Sequence, residues 1–345
     1  MSLEITIYTK SATKQKLIKE LTLHEFQRCK GVFEYSKDEI GFKWFQTKHY
    51  ESFTGVEATI YKSTQEERDK YNCSEWILRT RTRMTGSYKD KEKQNVIIKH
   101  IRKLFGGTFH NDWYGTNTCT NLNDYPNLSA AERGLTLMRQ NIRYKIICIS
   151  RSLDEFPKCI THPNPDDISD KSFKEYIKST DPSLTIYNAM LPFLVSMIEF
   201  MFKESFLIMI KYDDYAQKVI EKDKNIKVTL EDFLNIRHEK TTIENIVADN
   251  FTFQNLYHVN KAYKDYLNID IVKMLSIEQK IGEDVFRPYA KVEEIIQIRH
   301  DIIHHFGFHY LDKTIFITYL DIVDTTLRVF MKYLESRNSW SIEEI

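Results

Sequence analysis

Apolar residues recur along this chain with two different periods. Up to about position 84 they fall in short aromatic and β-branched runs, at 5–8, 32–35, 40–45, 56–61 and 76–84, separated by polar and turn-forming residues. That spacing predicts an antiparallel sheet. A helical period then takes over. Asp90 opens a segment with Val96, Ile97, Ile101 and Leu104 on one side and Gly106-Gly107 as its stop, and Ser129 starts a second helix running towards Ile149. The prolines Pro157, Pro163 and Pro165 with the Asp166-Asp167 pair suit neither element, which predicts a linker over 157–170. Beyond it the period is helical throughout. Asp181-Pro182 reads as an N-cap with proline at the first helical position, opening an apolar helix to about Ile210. Thr241 with Glu244, and Thr318 with Asp321, have the spacing of capping boxes, and Leu320, Val323, Leu327, Phe330 and Leu334 form a narrow seam on a closing helix. The expected fold class is an α+β domain over 1–156, an antiparallel sheet with helices, followed by an all-α helical bundle over 171–345.

Length and composition agree with two folded domains. The chain has 345 residues, 42% of them hydrophobic, with only 10 Gly and 7 Pro, which excludes a disordered or low-complexity array. The most apolar stretch is broken by Pro192, Glu199, Lys203 and Glu204, and no basic-then-apolar leader opens the sequence, so neither a membrane span nor secretion is expected. Five cysteines without a C-x-x-C pair fit a reducing cytoplasm better than a disulfide framework or a structural zinc site. The formal charge is zero, but residues 1–150 carry 25 Lys and Arg against 17 Asp and Glu, and the remainder 24 against 32. The basic amino-terminal part is therefore expected to meet an anion. Arg79, Arg81 and Arg83 alternate with Thr80 and Thr82; on a strand all three guanidinium groups share one face and could hold successive phosphates, RNA among them. Lys99, Arg102 and Lys103 could extend that surface. The Phe42, Trp44 and Phe45 group reads as core.

The densest chemistry lies near the carboxyl end. Four of the eleven histidines, His300, His304, His305 and His309, fall within ten residues, the first three in the run Ile298-Arg299-His300-Asp301-Ile302-Ile303-His304-His305-Phe306-Gly307 and His309 two positions beyond it. Val292, Ile295, Ile296 and Ile302 give a helical pattern that Gly307 is placed to end, so the cluster occupies the last turns of a helix. Imidazole moves protons at neutral pH, and guanidinium supplies a permanent charge with a fork of donors matched to phosphate oxygens. Together they can cleave RNA without metal, histidine serving the 2'-hydroxyl or the leaving 5'-oxygen and arginine the charge on phosphorus.

The segment Arg299-His300-Asp301-Ile302-Ile303-His304 resembles the mark of the HEPN domains (higher eukaryotes and prokaryotes nucleotide-binding): an arginine, a polar residue after it, and a histidine four to six positions on, late in a helical bundle. The likeness extends over about 170–340, taking in Phe253-Gln254-Asn255-Leu256, the helix with Glu199 and the closing helix. The resemblance implies a metal-independent endoribonuclease, often serving antiviral defence or a toxin–antitoxin pair, that commonly works as a homodimer. It makes Arg299 and His304 catalytic and His300 supporting, calls for no cofactor, and admits an antitoxin or a sensed ligand as partner. His305 also satisfies the spacing; Asp301 is a further supporting candidate, and Glu199 either faces the cleft or is a polar interruption of a core helix. No family is recognised over 1–150.

Two other readings compete. A catalytically silent relative would use the helical half for dimerisation or nucleotide binding. A zinc hydrolase would use His300-Asp301-Ile302-Ile303-His304 as H-D-x-x-H with His309 as third ligand; the short reach of Asp301 and the charge of Arg299 weigh against it. A second Ile-Arg-His at 236–238 has Thr242 where the distal histidine belongs and is assigned no chemistry.

Overall fold

Strand alternation in the amino-terminal runs resolves into a seven-stranded antiparallel sheet. A computed structural model describes residues 1–29, 38–155, 169–173, 176, 182–224, 226–305 and 307–342. The described chain divides into two compact units, Met1–Arg133 and Gly134–Glu344. The expected run 32–35, the N-cap Asp181 and nearly all of the expected linker 157–170 lie outside the described residues. The boundary between the two units follows Arg133, within a helix. Among the described residues no helix is long and apolar enough to cross a membrane.

In chain order the first unit contains β1 (Ser2–Tyr8), α1 (Lys14–Leu23), β2 (Gln27–Arg28), β3 (Ile40–Trp44), β4 (Val56–Lys62), α2 (Gln65–Tyr71), β5 (Trp76–Arg83), α3 (Tyr88–Phe105), β6 (Thr108–Asn111) and β7 (Gly115–Thr116). The strand order is β2-β3-β4-β5-β1-β6-β7, with every pairing antiparallel. One sheet face, with Ile5, Ile7, Phe42, Trp44, Ala58, Ile60 and Leu78, packs under Leu17 and Leu21 of α1 and Ile97, Ile98 and Ile101 of α3. The buried stripe of α3 differs from the expected one. Ile97 and Ile101 are buried as expected, but Val96 and Leu104 are 45% and 48% exposed while Ile98 and Phe105 turn inward. Phe45 is likewise exposed, unlike Phe42 and Trp44. Gly107, at φ +100°, must be glycine because a side chain there would strike the Tyr8 carbonyl.

A capping box closes the start of α3. Ser87 Oγ accepts from the Asp90 N–H, and Asp90 Oδ2 accepts from the backbone N–H groups of Ser87 at 2.9 Å and of Phe53 and Thr54 at 3.0 Å each. Asp90 is fully buried, so this carboxylate holds the 53–54 loop, the cap and the helix start together.

The second unit takes most of α4 (Ala130–Glu155), whose start carries a reciprocal Ser129–Glu132 cap, and then α5 (Pro182–Tyr212), α6 (Asp214–Lys222), α7 (Leu230–Arg237), α8 (Ile243–Asp249), α9 (Leu256–Leu267), α10 (Ile271–Leu275), the hairpin β8 (Gln279–Ile281) and β9 (Asp284–Phe286), α11 (Pro288–His304) and α12 (Lys313–Asn338). An α+β unit followed by a helical one is thus observed. A broad face of α5 is buried, with Leu191, Leu194, Val195, Ile198, Phe202 and Phe206 along it, while Phe193, Ser196 and Lys203 are exposed on the other side. Tyr263 is fully buried beside Phe202, Phe206 and Phe330, and its hydroxyl donates to the Phe202 carbonyl at 2.8 Å. All five residues of the expected α12 seam are buried. Two caps differ from expectation. Thr242, rather than Thr241, caps α8; α12 starts at Asp312, so Thr318 lies inside the helix and donates to the Thr314 carbonyl. Thr242, next to the expected cap, and Asp312, six residues before Thr318, have the extended backbone that capping requires.

Replacing Asp90 with Ala removes the acceptor of one buried and two partly buried N–H groups and should lower stability by roughly 3 kcal/mol. Urea unfolding of the variant measures this; a change below about 1 kcal/mol would mean that water satisfies those groups.

Candidate functional site

The histidine-rich run ends α11 because two following N–H groups turn back onto one carbonyl: His305 at 3.0 Å and Gly307 at 3.1 Å both donate to Asp301 O. A side chain at Gly307 would occupy the position of the Asp301 carboxylate. That carboxylate is a hub, with His309 Nε2 2.7 Å from Oδ2 and His305 Nδ1 3.3 Å from Oδ1. The hydrogen bond from His309, more than that from His305, holds the Asp301 carboxyl below the usual aspartate range. His309 is itself fixed through its backbone, which exchanges two hydrogen bonds with the Asn188 side chain on α5.

His300, His304 and His305 are exposed and gather on the outer side of the helix end. The His300 ring lies 4.5 Å from that of His304 and 5.5 Å from that of His305, centre to centre. Arg299 takes the opposite course. Its guanidinium tucks towards α5, where Nη2 is 4.0 Å from Glu199 Oε1, and the two side chains are only 19% and 24% exposed. Helical geometry accounts for the divergence, since five residues at about 100° each place Arg299 roughly 140° from His304.

The Arg299–Glu199 pair is unusual in what it leaves unmade. At 4.0 Å it is an ion pair without a hydrogen bond, and both Arg299 Nε and Glu199 Oε1 are buried with no hydrogen-bond partner among the described residues. Burial pushes the Glu199 carboxyl above its usual value, and the Arg299 charge only partly opposes this. Glu199 also lines a concavity of about 470 Å³ with Phe200, Lys203, Phe251, Phe253 and Gln254. Sequence reasoning missed Phe200, Lys203, Phe251 and Asn188. The phenylalanines at 251 and 253 carried a signal, an aromatic at every second position in a polar stretch, but its meaning depends on α5 lying opposite.

Of the candidate residues, Arg299 and Glu199 are brought together, and so are His300, His304, His305, Asp301 and His309; Arg299 and His304 are not. The metal reading meets a geometric obstacle, because His309 is engaged by Asp301. Among the described residues no three His, Cys, Asp or Glu side chains converge as a metal-ligand set.

In the amino-terminal unit, Thr80 and Thr82 turn under α3 while Arg79, Arg81 and Arg83 project from the opposite face of β5. Gln94 Nε2 bridges the Leu3 carbonyl and Thr80 Oγ1, which accounts for the inward threonine. The arginines do not form a bare cationic stripe. Arg81 pairs with Glu4 at 3.4 Å and is in register with Glu57 on its other side, and Arg79 stacks over Tyr61 at 5.4 Å. Arg83 lies at the strand end opposite Ser2.

No protein-family model matches the chain, and neither the curated proteins nor the solved structures contain a significant match.

The raised Glu199 carboxyl carries a pH signature. The folded state keeps a proton that the unfolded chain releases near the usual 4.5, so this contribution to stability is complete below 4.5 and is lost as pH rises through the raised value. Glu199→Gln should flatten that part of the profile above pH 4.5. Urea midpoints of both proteins across the range test this, and parallel profiles would refute it.

Proposed function

We propose that this protein is a metal-independent endoribonuclease of HEPN type, acting in the cytoplasm as a homodimer, in antiviral defence or as the toxin of a toxin–antitoxin pair. The observation that carries the reading is the Arg299 guanidinium: partly buried, permanently charged, and without a hydrogen bond to any described residue. A donor fork held in place and left unspent suits a phosphate that arrives from outside. His304, at the exposed helix end four positions after His300, supplies an imidazole open to the same solvent, with His300 and His305 against or near it. The Asp301–His309 pair positions this helix end.

In this mechanism His304 takes the 2'-hydroxyl proton or protonates the leaving 5'-oxygen, and Arg299 stabilises the charge growing on the phosphorane oxygens. A second copy brings a second motif to the cleft, which removes the requirement that Arg299 and His304 of one chain meet. Arg79 and Arg83 contribute to RNA binding more than Arg81, whose charge is spent on Glu4. The divergence of Arg299 and His304 favours a second reading, in which the helical unit binds or dimerises without catalysis.

Purified protein incubated with tRNA and mRNA in EDTA should cut, leaving 2',3'-cyclic phosphate and 5'-hydroxyl ends. Arg299→Ala and His304→Ala should each lower the rate about 10²–10⁴-fold with the fold and oligomer unchanged. Chelator-sensitive cleavage restored by zinc, or products with 5'-phosphate, would exclude this mechanism; intact variants that alter assembly alone would establish the second reading.

A further inference from the structure

The short helix α7 carries its apolar side outward. At about 100° per residue, Leu230, Phe233, Leu234 and Arg237 share one face, and Asp232, Asn235 and Ile236 share the opposite one. The second face is half-covered by the rest of the chain. On the first, Leu230, Phe233 and Leu234 are 75%, 57% and 42% exposed, and no residue of the helix is buried. Val228, directly before the Thr229 cap, and Ile243, at the start of α8, are exposed as well. Adjacent large apolar side chains on one helix make a contiguous patch, which is the kind of exposure that marks an interaction surface. A helix of 8 residues is also too short to persist on propensity alone. Its capping box fixes the start, and a second surface packed on the stripe would hold the rest.

The charges along the helix indicate what that surface is. Glu231 and Asp232 stand in the first turn and Arg237 in the last, with Lys240 shortly beyond. Neither Glu231 nor Arg237 has an ion-pair partner among the described residues. An identical helix laid against this one in the opposite direction brings the acidic start of each copy to the basic end of the other, and sets the two helix dipoles antiparallel. Phe233 and Leu234, midway along the helix, then flank the two-fold axis, and the contact closes on itself. A polynucleotide or an anionic membrane would require a cationic rim, whereas Glu231, Asp232 and Glu239 offset Arg237 and Lys240 here. We infer that α7 docks antiparallel onto α7 of a second copy of this chain, with Phe233 and Leu234 at the centre and Glu231 of each copy opposite Arg237 of the other. The inference rests on the homodimer reading above, gives that dimer its interface, and does not depend on catalysis. A stripe of this length makes a small interface, so the dimer should dissociate in the micromolar range.

Sedimentation velocity of the full chain tests this. The protein should pass from monomer to dimer between about 1 and 100 µM. Phe233→Asp should raise the dissociation constant about 100-fold or more, because it places two charges at the centre of the contact. Glu231→Lys and Arg237→Glu should each raise it about tenfold, since either sets like charges against one another at both ends. Mixing those two single variants in equal amounts should restore the dimer, and so should combining both changes in one chain, because antiparallel pairing matches opposite charges again. All three positions are exposed, and circular dichroism checks that the variants keep their fold. A dimer that Phe233→Asp leaves intact, or single variants that do not recombine on mixing, would overturn this interface and keep the homodimer. A chain that stays monomeric throughout overturns both, and binding of that monomer to phosphatidylserine vesicles through the same residues would assign the stripe to a membrane. A dimer broken by Phe233→Asp in a protein that never cuts RNA keeps the interface and discards the nuclease.

Discussion

Arg299 and Glu199 join the two helices on which the carboxyl-terminal site depends. A charge pair withdrawn from water carries a desolvation penalty that close hydrogen bonding normally offsets. Here the separation is 4.0 Å and no hydrogen bond forms, so the penalty is only partly met. Burial makes the carboxyl hold its proton more tightly than an exposed glutamate does, and at that separation the guanidinium retains its donors.

The end of α11 shows how a short motif can be divided between two environments. Arg299 faces inward towards α5, and His304, little more than a turn later, faces solvent. Between them Asp301 anchors the helix terminus through His305, His309 and the Gly307 backbone. The carboxylate that would have been the catalytic base in an H-E-x-x-H arrangement is instead committed to structure. Gly307 is part of the same arrangement, because any larger residue would displace that carboxylate.

In the sheet unit the same division by geometry operates across the two faces of β5. Threonines go under α3, where Gln94 and backbone carbonyls satisfy Thr80 and Thr82, and arginines go outward, where Glu4 and Glu57 moderate the middle one. A positive balance counted along the sequence therefore overstates the charge available to an anionic ligand. Cross-strand neighbours set the local field, and those neighbours come from β1 and β4, far away in the chain.

Much of this architecture was legible in local pattern. Period two in the runs that became β1, β3, β4 and β5, period three-to-four in α3 and α12, and glycine stops after α3 and α11 are determined by short-range sterics and by which side chains leave water, so adjacent residues carry the information. The histidine cluster and its place at a helix end were legible for the same reason. What local pattern could not supply was pairing. β2, β6 and β7 are too short and polar to announce themselves and exist because a neighbouring strand offers hydrogen bonds. The buried stripe of α3 shifted to Ile98 and Phe105 because the sheet beneath it chose the face. Whether Glu199 was a polar interruption or the partner of Arg299 was decided only when α5 and α11 packed together, a hundred residues apart, since desolvation and charge pairing depend on distance in space and not on distance along the chain.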